Sequence, residues 1–232
     1  MNKLVLFDID GTILLSSGAG RRAIVAAIAE ELGDRTALRR IRFDGKTDPE
    51  IVAELLETAD QPHQSTPARI ESICRRYVEL LADELARPST RTIVMPGILE
   101  LLDRLEQQEG VLLGLLTGNV EQGAALKLRA AGIDPNRFRV GAYGSDAARR
   151  PELPPIAARR ASRFFGRPPS GPEVVIIGDT PADIACGECI EARALAVATG
   201  GYSLEALEAC RPYAAFKDLG DTERVLRSIL QG

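Results

Sequence analysis

Short apolar runs separated by amphipathic stretches of helical length recur along this chain, and no other feature restricts its fold as tightly. The runs are Lys3-Leu4-Val5-Leu6-Phe7, Val111–Leu116, Val174–Ile177 and Leu195–Val197, with a weaker one around Phe138–Val140. Each is brief and bounded by polar or turn-forming residues, as expected of a strand buried on both faces. Between them lie amphipathic segments at Gly97–Gln108, Glu121–Ala131, Pro154–Phe165, Pro181–Ile190 and Leu204–Cys210. Strands alternating with such helices build βαβ units. The pattern therefore predicts a doubly wound α/β fold, with a parallel sheet covered on both faces by helices.

One region breaks the rhythm. From about Gly18 to Ala86 no strand pattern occurs, and helical patterns fill Arg21–Leu32, Pro49–Thr58 and Pro67–Leu85. In the third, Ile70, Ile73, Tyr77, Leu80 and Leu81 share one face,. A breaker-rich stretch, Asp60 to Ser65, separates the second pattern from the third,. So much helix between a first and a second strand exceeds what one crossover requires. The expected organisation is a core domain of residues 1–15 and 88–232, with a small helical domain inserted at residues 16–87.

Composition narrows the function classes. A net charge of -4 gives no basic footprint for nucleic acid,. No apolar run is long enough to span a bilayer, and Asp8 and Asp10 cut off the first apolar run too early for a secretory signal,. Cys74, Cys186, Cys189 and Cys210 are too sparse for a disulfide scaffold, which fits a reducing cytoplasm,. Of the 29 basic residues only Lys3, Lys46, Lys127 and Lys217 are lysines.

Chemistry gathers where the predicted strands end. Asp8 and Asp10 directly follow the first strand, and residues two apart on an extended chain point the same way. Gly11 lets the chain turn. Alone, the pair reads equally well as a solvated strand end. After the strand at Val111–Leu116 comes Thr117-Gly118-Asn119, either a plain helix cap or an anion site of a hydroxyl and free amides. After Val174–Ile177 comes Gly178-Asp179-Thr180-Pro181-Ala182-Asp183, adding two carboxylates at the same sheet edge. Ligands of open parallel sheets bind at the carboxyl ends of strands, and Mg²⁺ takes carboxylate oxygens together with substrate phosphate. Three strand ends bearing these residue types point jointly to metal-assisted phosphoryl chemistry.

On these residues the chain resembles the haloacid dehalogenase superfamily and, within it, phosphatases similar to phosphoglycolate phosphatase. Asp8-Ile9-Asp10-Gly11-Thr12 resembles the first motif, Thr117-Gly118-Asn119 the second, and Gly178 through Asp183 the fourth. The inserted helices resemble the cap that one class of these enzymes carries there. The resemblance implies a Mg²⁺-dependent phosphatase of small phosphate monoesters, acting through an aspartyl-phosphate. Asp8 would be the nucleophile and Asp10 the acid and base. Mg²⁺ would be held by the Asp8 carboxylate, the Asp10 carbonyl and Asp179, with Asp183 further out or acting through water. Thr117, Gly118 and Asn119 would bind phosphate. The motif lysine is replaced, with Arg150 of Arg150-Pro151 as the candidate and Arg149 as the alternative.

The partner implied is a small phosphorylated metabolite, with no nucleic acid or membrane, and the chain is expected as a monomer or homodimer. Asp10 favours phosphate over halide chemistry. A phosphomutase similar to β-phosphoglucomutase, or a non-catalytic binding module, are the competing readings. Lys46, in Gly45-Lys46-Thr47-Asp48, is expected either over the substrate or in solvent, and Arg21 and Arg22 are further substrate candidates. Gly18-Ala19-Gly20-Arg21-Arg22-Ala23 matches a dinucleotide pattern but does not directly follow the first strand, so it reads as a substrate-facing loop or helix start on the cap. Cys186 and Cys189 read as packing residues, and His63 has no evident partner. The helix after Asp183 should end near Glu191, where a glycine would be expected.

Overall fold

The computed structural model of the chain describes residues 2–32, 43–58 and 65–231. Asp60 to Gln64, including His63, lie outside the described residues. Among those described, the main sheet has six strands, all parallel: β1 (Lys3–Phe7), β4 (Val111–Thr117), β5 (Val140–Tyr143), β6 (Val174–Gly178), β7 (Arg193–Val197) and β8 (Ala214–Phe216). Their order is β5-β4-β1-β6-β7-β8. The two strands flanking β1 are the ones that end in Thr117 and Gly178, so three of the predicted chemical motifs meet at one edge.

Strand alternation sorts the core into two layers. Val5, Phe7, Leu113, Leu115, Val175 and Ile177 face α4 (Ile98–Glu106), α5 (Glu121–Ala130) and α9 (Thr222–Leu230), meeting Leu101, Leu105, Ala124, Leu128, Val225 and Ile229. Leu4, Leu6, Leu116, Val140, Ala142 and Ile176 face the other way, onto Leu153, Ala157 and Ala161 of α6 (Leu153–Phe165). Helices on both faces complete the doubly wound architecture.

The chain leaves the sheet through β2 (Leu14–Leu15) and returns through β3 (Ile93–Val94), which pair antiparallel. Between them lie α1 (Ala19–Leu32), α2 (Asp48–Thr58) and α3 (Pro67–Ala86). These helices bury a cluster of their own, with Ile24, Ile28, Val52, Leu55, Ile73, Tyr77 and Leu81, and Val120 joins it from the sheet side. Thr66 caps α3 by accepting from Arg69 N–H, with Pro67 in the first turn,.

Several elements differ from expectation. The apolar run at Phe138–Val140 becomes a strand two residues later, because Phe138 ends a short 3-10 turn and packs edge-on against Phe7 at 6.2 Å. The expected helix Pro181–Ile190 ends at Cys186 as α7 (Pro181–Cys186), and a 3-10 turn continues to Ile190. Glu191 then takes the left-handed conformation at φ 55°, the stop for which a glycine was expected. Cys186 is buried as a packing residue, whereas Cys189 is exposed.

Candidate active site

Asp8 is set by the end of β1, where its N–H donates to Ile177 O at 2.9 Å and keeps the strand in register with β6. The chain then turns tightly. Gly11 has φ 89°, and Ile13 and Leu14 both donate to Ile9 O. A β carbon on Gly11 would also press into the Asp179 carboxylate, 2.6 Å from its Cγ. Gly200, after β7, is equally constrained, since a β carbon there would overlap Asp179 Oδ2. Two glycines therefore make room for one carboxylate.

Asp8, Asp179 and Asp183 are all buried, and each offers an oxygen within 4.8 Å of the others. Arg150 is the cation among them. Its Nη2 lies 3.0 Å from Asp8 Oδ1, donates to Asp183 Oδ1, and reaches Leu116 O at 3.3 Å. Arg149 is exposed and pairs with Glu152 at 3.1 Å, so of the two arginines only Arg150 enters the site. Asp183 Oδ2 accepts from Thr180 N–H at 3.0 Å while Asp183 N–H donates to Thr180 Oγ1 at 3.3 Å, a capping box that opens α7, and the Thr180 hydroxyl also donates to Asp183 Oδ2 at 2.6 Å,. Asp179 Oδ1 accepts from Thr12 Oγ1 at 3.1 Å. Oδ2 of Asp8 and Oδ2 of Asp179 accept from no described residue.

Burial dominates the electrostatics. It pushes the Asp8 carboxyl up to about 7, against the pull of Arg150 and with help from Asp183 and Asp10. Asp179 rises to about 8, first through burial and then through Asp8 and Asp183. One guanidinium does not offset three clustered carboxylates. A hard divalent cation fits this all-oxygen donor set, and Mg²⁺ commonly uses such carboxylates beside a phosphate.

At the end of β4, Thr117 Oγ1 accepts from Asn119 Nδ2 at 2.7 Å, and Asn119 Nδ2 also donates to Asp10 Oδ2 at 2.8 Å. Gly118 lies against the loop before α2. Its carbonyl accepts from Asp48 N–H at 2.8 Å, and a β carbon on it would overlap Lys46 O. Lys46 lines the same cavity as Asp8, but its ammonium pairs with Glu54 of α2. The cavity holds about 290 Å³ and brings together Asp8, Asp10, Thr117, Gly118, Asn119, Lys46, Arg150, Asp179 and Asp183. The carboxylates and the Thr117–Asn119 segment singled out from the strand ends thus meet in one space.

Sequence reasoning missed three contributors. Lys127 of α5 reaches back to Asp10 Oδ2 and Asn119 Oδ1, each at 2.6 Å. The clue was available: with Ala124 and Leu128 facing the core, a lysine at 127 falls on the buried side of its helix,. Asp48 is buried, accepts from Val120 N–H at 2.9 Å, and is raised to about 6 by burial against the pull of Lys127. Thr12 supports Asp179. For Asp48 and Thr12 no local sequence signal says which distant group they meet. The dinucleotide-like Gly18–Ala23 opens α1, away from any βα turn of the main sheet.

The chain is similar to known proteins. Residues 5–188 match the sequence model described as haloacid dehalogenase-like hydrolase. The chain belongs to that family. A phosphoglycolate phosphatase of Rhodospirillum rubrum is 30% identical, over 95% of this chain and 90% of that protein. A phosphoglycolate phosphatase of Cereibacter sphaeroides is 27% identical over 97% and 98%. The haloacid dehalogenase-like chain is accordingly an enzyme, a phosphoric monoester hydrolase. Among solved structures, a hydrolase from Pseudomonas syringae superposes with a TM-score of 0.73 at 23% identity, covering 99% of each chain. CbbY from Rhodobacter sphaeroides, solved with phosphate, gives 0.72 at 21%, over 95% and 96%. At those identities the likeness is one of fold. No helix among the described residues is long and apolar enough to cross a membrane.

Proposed function

We propose that this enzyme is a Mg²⁺-dependent phosphatase of a small, phosphoglycolate-like monoester, with Asp8 as its nucleophile. The observation that carries this reading is the packing of Asp8 between Arg150 and the Asp179–Asp183 pair, with Asp8 Oδ2 free of any donor among the described residues. In the metal-bound enzyme Asp8, the Asp10 carbonyl and Asp179 would hold Mg²⁺. Asp183, with one oxygen on Arg150 and the other on Thr180, would support from behind. The ion supplies charge stabilisation for the phosphoryl group in flight.

The remaining steps belong to the chain. The Asp8 carboxylate attacks phosphorus, and the bond from phosphorus to the leaving oxygen breaks as the aspartyl-phosphate forms. Asp10 gives its proton to that oxygen, then takes one from the water that attacks the acyl phosphate and releases inorganic phosphate. Thr117, with the Gly118 and Asn119 amides, holds phosphate oxygens, while Arg150 balances charge on Asp8. Nε of Arg150 is buried with no partner among the described residues, which an anion arriving beside it would relieve,.

Residues 16–87 act in this reading as a cap that closes the small cavity and chooses the substrate, over a core of residues 1–15 and 88–232. Arg21 lines the cavity with its guanidinium 4.4 Å from the Phe43 ring and no carboxylate partner among the described residues. Together with Lys46 it suits a second anionic group, such as the carboxylate of phosphoglycolate. The unpaired cysteines fit the cytoplasm, and the chain is taken as a monomer or homodimer.

A phosphate-release screen over small phosphate esters, with and without Mg²⁺, tests the reading. Activity should require Mg²⁺ and vanish in Asp8→Asn, and near-normal turnover by that variant would sink the nucleophile assignment. Isomerisation of a sugar phosphate without phosphate release would show a mutase instead.

A further inference from the structure

Lys127 is buried to a degree that lysine seldom reaches, with 5% of its side chain exposed,. Side chains on a helix lean toward its amino terminus, so the long stem runs back from α5 to the strand ends. There Nζ donates to Asp10 Oδ2 and Asn119 Oδ1. Asn119 grips the same Asp10 oxygen through Nδ2 and is itself braced on Thr117 Oγ1. Two donors that also hold each other therefore fix one carboxylate oxygen. Asp10 Oδ1 accepts from no described residue, and the side chain stays 42% exposed toward the cavity.

The ammonium also marks where core and helical insert meet. Gly20 of α1 packs so closely that a β carbon there would lie 3.1 Å from Nζ. Tyr77 Oη lies 3.7 Å from that same point, and buried Asp48 faces the lysine from α2. A cation serving only as a counter-charge for buried carboxylates would not need both Asn119 and the close seat of α1.

We propose that Lys127 is a positioning residue. It turns Asp10 so that Oδ1 faces the leaving oxygen, and the seat of α1 at Gly20 fixes where its ammonium stands. This rests on the reading of Asp10 as the acid and base. Proton delivery matters when the leaving group is a basic alkoxide and little when it is nitrophenolate, so leaving-group dependence exposes the role.

The experiment measures kcat/KM, which covers transfer to Asp8, for an alkyl phosphate that the enzyme turns over and for p-nitrophenyl phosphate. Lys127→Met should lower the alkyl value by about 100-fold, the low end of what a positioned acid contributes, and the nitrophenyl value by less than about threefold. Gly20→Ala, which crowds the ammonium while improving a helix former, should shift the same ratio in the same direction by about tenfold. It keeps the test alive if Lys127→Met does not fold. Equal losses on both substrates in either variant, or a rise in KM with kcat unchanged, would overturn the proposal. The second result would make Lys127 a substrate anchor. Asp10→Asn, run in parallel, separates the two claims. If it shows the leaving-group split and the Lys127 and Gly20 variants do not, only the positioning role fails. If Asp10→Asn shows no split, the acid assignment itself falls.

Discussion

One nitrogen of Arg150 serves Asp8 and Asp183 together: Nη2 lies 3.0 Å from Asp8 Oδ1, donates to Asp183 Oδ1, and still reaches the Leu116 carbonyl. The guanidinium fork is therefore not used bidentately here, and its Nε has no partner among the described residues. A single ammonium could make the same three contacts, although lysine and arginine are not generally interchangeable. Arg150→Lys should retain activity within about tenfold. Arg150→Met should lose activity by more than about 100-fold and cost about 3–5 kcal/mol of stability, because it strands two buried carboxylates. Steady-state kinetics and denaturant unfolding check both. A lysine variant as dead as the methionine variant would show that the planar group itself is required.

The site carboxylates predict an inverted pH response without metal. Asp8 at about 7, Asp179 at about 8 and Asp48 at about 6 all stand above the ordinary aspartate value. The native state then binds more protons than the unfolded chain between about pH 4 and 8. Their contribution to stability is thus fully present below about pH 4 and is lost as pH rises through 6 to 8. Mg²⁺ needs the ionised carboxylates and releases protons on binding, so its stabilisation runs the opposite way. Thermal melts in chelator should show a lower Tm at about pH 8.5 than at about pH 5.5, with added Mg²⁺ raising Tm more at the higher pH. Equal Mg²⁺ stabilisation at both values would contradict this.

Much of the site was legible before the fold, for a physical reason. Asp8, Thr117 and Asp179 each follow an apolar run closely, and in a parallel sheet such strand ends converge wherever the strands are neighbours. The order β4-β1-β6 made them neighbours. Lys127 and Asp48 escaped notice because their roles depend on where a helix sets a long side chain, or an insert sets a loop, against another element. The same limit applies to β8 and α9, whose runs were not singled out. Alanines and a few partly buried residues make the β8 pattern faint.

Gly200 offers a test of how tightly Asp179 is held. A β carbon there would overlap Asp179 Oδ2, whereas at Gly201 nothing lies within 4 Å. Gly200→Ala should therefore displace the carboxylate and reduce turnover by about 100-fold, the scale expected for a misplacement near 1 Å. Gly201→Ala should leave turnover within about twofold, as a substitution into open space away from such features. The Mg²⁺ dependence of the Gly200 variant should shift to higher concentration. An unchanged Mg²⁺ midpoint would mean that Asp179 is not a ligand.

Adjacent arginines on α1 should behave in opposite ways. Arg22 is tied down: its Nε lies 2.6 Å from Glu84, and its other nitrogens reach Ser17 O at 2.6 Å and Thr90 Oγ1 at 3.2 Å. Arg21 lines the cavity and, among the described residues, has the Phe43 ring beneath its guanidinium and no carboxylate partner. Arg22→Ala should cost about 1 kcal/mol of stability, a modest amount because Glu84 keeps its bond to Arg87, and should leave KM unchanged,. Arg21→Ala should leave stability unchanged and raise KM about tenfold for substrates with a second anionic group, with kcat nearly constant, as loss of uniform binding requires. Against a phosphate ester with an uncharged substituent the same variant should show little change. Lys46→Ala should fall between, since Glu54 already occupies its ammonium. A twofold or smaller rise in KM for Arg21→Ala on every anionic substrate would remove the cap arginine from substrate recognition.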